Sequence, residues 1–313
     1  MPPRLADLPF DLDHTLASIV AVRTTVPADA SSASRLGTER AGSGVVIGSD
    51  GLVLTVGYLL TEADAVWIID SSGKAIPGHI VGQDQESGFG LVQALEPLDR
   101  PALPLGKSSE LMPGDSIVIA AFGGISHAVI SRVIAKQEFA GYWEYLLDQA
   151  IFCAPAHPQW TGAAAIGRDG NLIGVASLIF QQFSHGGINI DANMIIPIDL
   201  LKSALPDMMK LGRVDKPARP WLGIWTAEAE NKLVIAGMSD NGPAKQSGLR
   251  VGDAILDVAG ERPRSLADMY RKIWALGPAG VDVPFRVQRK DRELEVTVPS
   301  ADRAKHLKKP RLN

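Results

Sequence analysis

Residues 42–60 read GSGVVIGSDGLVLTVGYLL, and their pattern sets the fold class. Two apolar runs, Val45-Val46-Ile47 and Leu52-Val53-Leu54, flank Ser49-Asp50-Gly51, a turn of the Asp-Gly type that supplies the positive φ of a tight antiparallel connection. Short Val/Ile/Leu runs broken by Gly, Asp, Ser and Pro continue from Ala41 to about Pro197, among them AVWIID, GHIVG, FGLVQAL, DSIVIAAF, AVISRVIA, NLIGVASLIF and INIDANMIIP. Arg168-Asp169-Gly170 repeats the turn chemistry. This rhythm predicts a β-barrel or sandwich.

Upstream, residues 12–22 read as a short amphipathic helix or strand, and TTVPADASSASRLGTER (24–40) as a mobile surface loop rich in turn formers. Downstream, IDLLKSALPDMMKL (198–211) switches to helical spacing and stops at Gly212, a residue suited to closing a helix. GRVDKPARP (212–220), with two prolines and four charges, reads as a linker. Residues 221–300 then give two strands, a short helix near Pro243–Ser247, a strand, an amphipathic helix over Ser265–Leu276 and two last strands. The expected organisation is an N-terminal segment and loop (1–40), a mainly β domain (41–211), a linker (212–220), an α+β domain (221–300) and a basic tail (301–313).

The 313 residues carry 31 Lys+Arg against 35 Asp+Glu and are 46% hydrophobic, which excludes disordered and collagen-like classes. One cysteine, Cys153, rules out an internal disulfide and a cysteine-based metal cage. The start lacks the basic region and long apolar stretch of a secretory signal, and no apolar run has the roughly 20 residues that span a bilayer, so a cytoplasmic location is expected. The tail RAKHLKKPRLN (303–313) is the one basic run, read as a solvated chain end rather than a nucleic-acid contact. No cofactor or metal is expected, because no two histidines share metal-ligand spacing with a carboxylate.

The stretch 42–60 resembles the first hairpin of the HtrA/DegP-type serine proteases, usually GSGVIID-DG-ILTNNHVV, and the resemblance extends through HIVGQDQESGFGLVQAL, LPLGKSSELMPGDSIVIAAF, AHPQWTGAAAIGRDGNLIGVASLIF and NIDANMIIPIDLLKSAL. RPWLGI, GPAKQSGLRVGDAILDVAGERPRSLADM and FRVQRKDRELEVTV resemble that family's PDZ domain. The resemblance implies a chymotrypsin-like double β-barrel followed by an α+β PDZ domain. It also implies an oligomer, a trimer or a mixed assembly with an active relative.

Chemistry is a separate question, because a fold does not confer it. Acyl transfer needs a nucleophile, a base and a carboxylate that orients the base. Aligned on the family's motifs, the base position holds Tyr58, the carboxylate position Gly88 and the nucleophile position Thr161, while Gln159 replaces a glycine of the oxyanion loop. A phenol with an ordinary pKa of about 10 stays protonated near neutrality, glycine has no side chain, and threonine still needs a base. Removing such a triad costs on the order of a millionfold in turnover. The expectation is therefore a pseudoprotease, not an enzyme. His157, or His185 beside Ser184, is a displaced base only in a rewired centre; Cys153 reads as buried filler and Trp160 as a plug of the cleft.

A PDZ domain adds an extended peptide to a sheet edge and holds its terminal carboxylate on the amides of one loop. That loop is Trp221-Leu222-Gly223-Ile224, with Arg219 able to add positive charge and Leu266, Met269, Tyr270 and Ile273 on the helix of the other wall. The expected partners are protein C-termini or extended hydrophobic peptides, with no nucleic acid and no membrane span. The first reading is a non-catalytic scaffold, regulator or chaperone-like adaptor. The alternatives are a residual or rewired hydrolase using Thr161 or Ser184, and a structural subunit of a larger complex.

Overall fold

The computed structural model describes residues 8–308 apart from 186, 230 and 231, with the side chains of 182, 184, 185 and 188 outside the description. The described chain divides into two compact units, one of residues 8–137 with 149–215, the other of residues 138–148 with 216–308. In the first unit, helix α1 (Leu12–Leu16) leads into strands β1 (Ile19–Thr25), β2 (Glu39–Val46), β3 (Leu52–Val56), β4 (Ala65–Ile69), β5 (Ala75–Gln83) and β6 (Phe89–Ala94). They close a barrel in the order β1-β2-β3-β6-β5-β4. The quoted hairpin is β2 and β3, paired antiparallel with Val45 opposite Leu54 and Val46 opposite Val53. Every residue of β3 is buried, as suits a strand between β2 and β6 that also meets helix α3 (Gly57–Leu60) after α2 (Ala33–Leu36).

The second barrel runs β7 (Ser116–Ala120), β8 (Ala128–Gly141), β9 (Tyr145–Ala154), β10 (Ala164–Ile166), β11 (Leu172–His185) and β12 (Ile188–Pro197), ordered β10-β11-β12-β9-β8-β7. Helix α4 (Asp199–Leu211) follows and ends where Gly212 turns left-handed at φ 73°, its N–H returning to Met208 O. The first barrel thus takes in β1, ahead of residue 41. Within the stretch read as a loop, Ala33–Leu36 form helix α2. The buried Arg40 guanidinium donates to Gly37 O, Tyr58 O, Thr61 O and Ser32 Oγ, and Glu62 accepts from the Ser31 and Ser32 amides. These bonds tie the polar segment down where apolar burial is scarce.

The second unit is a five-stranded sheet of β13 (Ile224–Ala229), β14 (Lys232–Met238), β15 (Ala254–Val258), β16 (Asp282–Arg289) and β17 (Arg292–Pro299), in that order, with helices α5 (Pro243–Gln246) and α6 (Leu266–Ala275). Strand β16 buries alternate residues Val283, Phe285 and Val287, the period-2 signature of a half-buried strand. Helix α6 starts on a capping residue, Ser265, whose Oγ accepts from the Asp268 amide. Its face Leu266, Met269, Tyr270 and Ile273 packs into the same core as Leu222 and Ile224. Strand β13 is an end strand of this sheet, so one of its edges pairs with no other strand of it.

Candidate functional site

Within the first unit, the positions singled out for chemistry lie together. Tyr58 is the second residue of α3, and the preceding Gly57 N–H donates to Gly88 O at 2.7 Å, so the base and carboxylate positions are neighbours. Gly88 has φ 86°, a left-handed conformation in which a β-carbon is strained. Asp84, close by in sequence, spends its carboxylate inside its own turn, accepting from the Ser87 and Glu86 amides. Thr161 reaches the first barrel through its backbone, where the Ser43 amide donates to Thr161 O at 2.7 Å.

The Tyr58 hydroxyl donates to Ser177 O at 3.0 Å and has the Thr161 and Trp160 side chains as its other polar neighbours. Burial pushes the phenol up to about 12, against a smaller downward pull from those two side chains. Trp160 is half-buried and packs against the second-barrel core.

Sequence reasoning also weighed displaced groups. The His157 imidazole is nearly inaccessible and has both ring nitrogens engaged, Nδ1 accepting from the Gln159 amide at 3.0 Å and Nε2 pairing with His127 O at 3.1 Å. Burial lowers its pKa, so it stays neutral near pH 7, and it is not free to take the Thr161 proton. The same bond occupies the Gln159 amide, a prospective oxyanion donor. Cys153 is fully buried, and burial drives its thiol up to about 12, which leaves it unreactive. The side chains of Ser184 and His185 lie outside the described residues, as do Lys309 and Arg311 of the tail.

In the second unit, Leu222 and Ile224 are fully buried and Gly223 holds φ 74°. There an added Cβ would meet Gly242 Cα and the Trp221 ring at 3.1 Å. Trp221 bridges to Ala301 through its backbone, and its ring lies 4.9 Å from the His306 ring. Arg219 does not serve the loop as a simple charge; its guanidinium stacks 4.1 Å over the Trp274 ring. The Leu222 and Gly223 amides, which the sequence reading assigns to a ligand carboxylate, donate to Glu144 Oε1 and Oε2 at 2.8 and 2.9 Å. Sequence reasoning missed Glu144 and Tyr142. The signal available was the aromatic run Gly141-Tyr142-Trp143-Glu144-Tyr145 between two strand-like segments, too rich in large side chains for an idle turn.

Among known proteins, a trypsin-like peptidase domain family matches residues 42–175 and a PDZ domain family matches residues 220–299. A probable periplasmic serine endoprotease, DegP-like, of Halomonas elongata is 27% identical over 83% of this chain and 56% of its own length. The protein of the same name from Pseudomonas putida strain W619 is 28% identical over 82% and 55%. The chain thus spans about half the length of the curated relatives it matches. A solved HtrA-type protease AlgW with decapeptide shares the fold at a TM-score of 0.54 and 19% identity, covering 96% of this chain and all of its own. These matches correct two expectations. The relatives are named serine endoproteases, which overturns the assignment as a non-enzyme pseudoprotease, and they are named periplasmic, which overturns the cytoplasmic location. Among the described residues, no helix is long and apolar enough to cross a membrane.

Proposed function

Since this chain joins a trypsin-like peptidase domain to one PDZ domain and so belongs to the HtrA/DegP family, we propose that it is a peptide-binding hydrolase with a rewired centre, in which Thr161 is the nucleophile and Tyr58 takes its proton. The observation that carries this reading is that the Thr161 side chain is a polar neighbour of the buried Tyr58 hydroxyl, at the positions where the family's motifs hold nucleophile and base. In the productive step the Tyr58 phenolate accepts the Thr161 proton as Oγ1 attacks the scissile carbonyl carbon. The same proton then goes to the leaving amine, and water releases the acyl group from Thr161. With the phenol at about 12, about one molecule in 10⁵ is ready at pH 7, so cleavage is slow and quickens with alkalinity. The Gln159 amide must also leave His157 to face a developing oxyanion.

The PDZ domain is proposed to take extended chain ends on the outer edge of β13, an oligomer suits the family, and the periplasm is the compartment proposed from the relatives' names. Casein incubated with purified protein at pH 7 and pH 9 tests the cleavage reading. The expected result is slow proteolysis, about tenfold or more faster at the higher pH and abolished in Thr161→Ala. Intact casein at pH 9, or equal cleavage by Thr161→Ala, would overturn it.

A further inference from the structure

The loop that should hold a ligand's carboxylate already holds one from this chain. Residues Glu138–Asp148, the tip joining β8 to β9, belong to the same compact unit as the PDZ sheet. Glu144 stands in the left-handed region at φ 61°, uncommon for a residue with a side chain. Its carboxylate receives the Leu222 and Gly223 amides. The Tyr270 hydroxyl from α6 accepts from the Glu144 amide at 3.1 Å and donates to Gly141 O at 2.8 Å. On the outer edge of β13, the Thr226 amide donates to Tyr142 O at 3.0 Å, the kind of backbone bond an added strand makes. Leu146 is buried among Leu222, Ile224 and Tyr270. Arg271 pairs with both Glu138 and Asp148, one at each foot of the tip.

A carboxylate on the loop amides, a backbone bond to the sheet edge and an apolar side chain in the core are the contacts a captured chain end would make. We propose that the tip Glu138–Asp148 is a built-in ligand of the PDZ groove, with the Glu144 side chain in the place of a terminal carboxylate. An outside chain end with an apolar last residue and a free α-carboxylate binds by displacing it. The inference rests on the peptide-capture reading of the PDZ domain and is independent of hydrolysis at Thr161.

The test uses the full chain and a fluorescein-labelled peptide, FAGYWL, which copies residues 139–143 and closes them with a leucine carboxylate, alongside its C-terminal amide. Binding is read by anisotropy in wild type, Glu144→Ala and Arg271→Ala. The second variant loosens the foot of the tip without touching the loop amides, and melting curves check that both variants fold. Both are expected to bind FAGYWL at least tenfold more tightly than wild type, and the amide form is expected to bind none of the three. Hydrogen exchange at the Leu222 and Gly223 amides is expected to quicken in Glu144→Ala and slow again with peptide. Equal measurable affinity in all three proteins would overturn the inference alone. No binding by any of them would overturn it together with the peptide-capture reading.

Discussion

Gly162, directly after the nucleophile position, shows how narrowly one residue can be specified. It has φ 74°, and a Cβ there would lie 2.0 Å from Ser43 O, inside the backbone of the opposite barrel. Gly162→Ala is therefore expected to cost about 2 kcal/mol or more, because strain and collision add. A drop in melting temperature against wild type is the check, and an unchanged value would mean that the strand around Ser43 yields freely. Tyr58 carries a prediction of a different kind. Its phenol, raised by burial to about 12, ties proposed cleavage to high pH, whereas an imidazole of ordinary pKa near 6.5 would be half ionised near neutrality. Tyr58→His is expected to shift the pH–rate profile toward neutrality, with only partial gain because Gly88 offers no carboxylate to orient the ring. A profile that keeps rising to pH 10 in that variant would show that Tyr58 is not the base.

At the scale of elements, the β8–β9 tip gives the clearest pH signature. Burial raises the Glu144 carboxyl from an ordinary 4.5 to about 7, against the pull of the Leu222, Gly223 and Ile224 amides and of Arg303; the Tyr270 hydroxyl is the other titratable group facing it. The docked tip thus holds a proton that the released tip gives up. Docking is fully supported below about 4.5 and weakens as pH rises through 7. FAGYWL is expected to bind wild type about tenfold or more tightly at pH 8 than at pH 5, and Glu144→Ala is expected to lose that dependence. The elements themselves were largely legible. Short apolar runs on either side of the Asp-Gly turn placed β2, β3 and the first hairpin, and Gly212 marked the end of α4. What escaped reading was non-local. Arg40 and Glu62 hold Ser31, Ser32 and Gly37 by bonds that no periodicity records, and the Glu144 contacts join residues about eighty apart in the chain. Residue types at Tyr58, Gly88 and Thr161 were plain from the motifs, yet that the Tyr58 hydroxyl is buried and donates to Ser177 O needed the fold.

Over the whole molecule, the division into two units sets how it should come apart. In the second unit Asp253 has no exposure, and Arg289 binds it with two bonds of 2.7 Å, Nε to Oδ1 and Nη2 to Oδ2. Burial raises the Asp253 carboxyl, but the Arg289 bonds together with the Arg250 amide and charge hold it below its ordinary value. Calorimetry is expected to resolve two transitions, and Asp253→Ala is expected to lower one of them by roughly 10 °C, the effect of about 2 kcal/mol in a unit of this size. Loss of both transitions together would show that the units melt as one.

A tip that stays covalently joined to the chain it binds has a thermodynamic consequence. Its local abundance at the groove is set by the tether, on the order of millimolar for a short flexible connection, and does not fall when the protein is diluted. A free competitor must win against that constant supply, so sparse or weakly fitting chain ends go unanswered. Only abundant or closely matched ones register, which makes the covalent link itself a threshold detector.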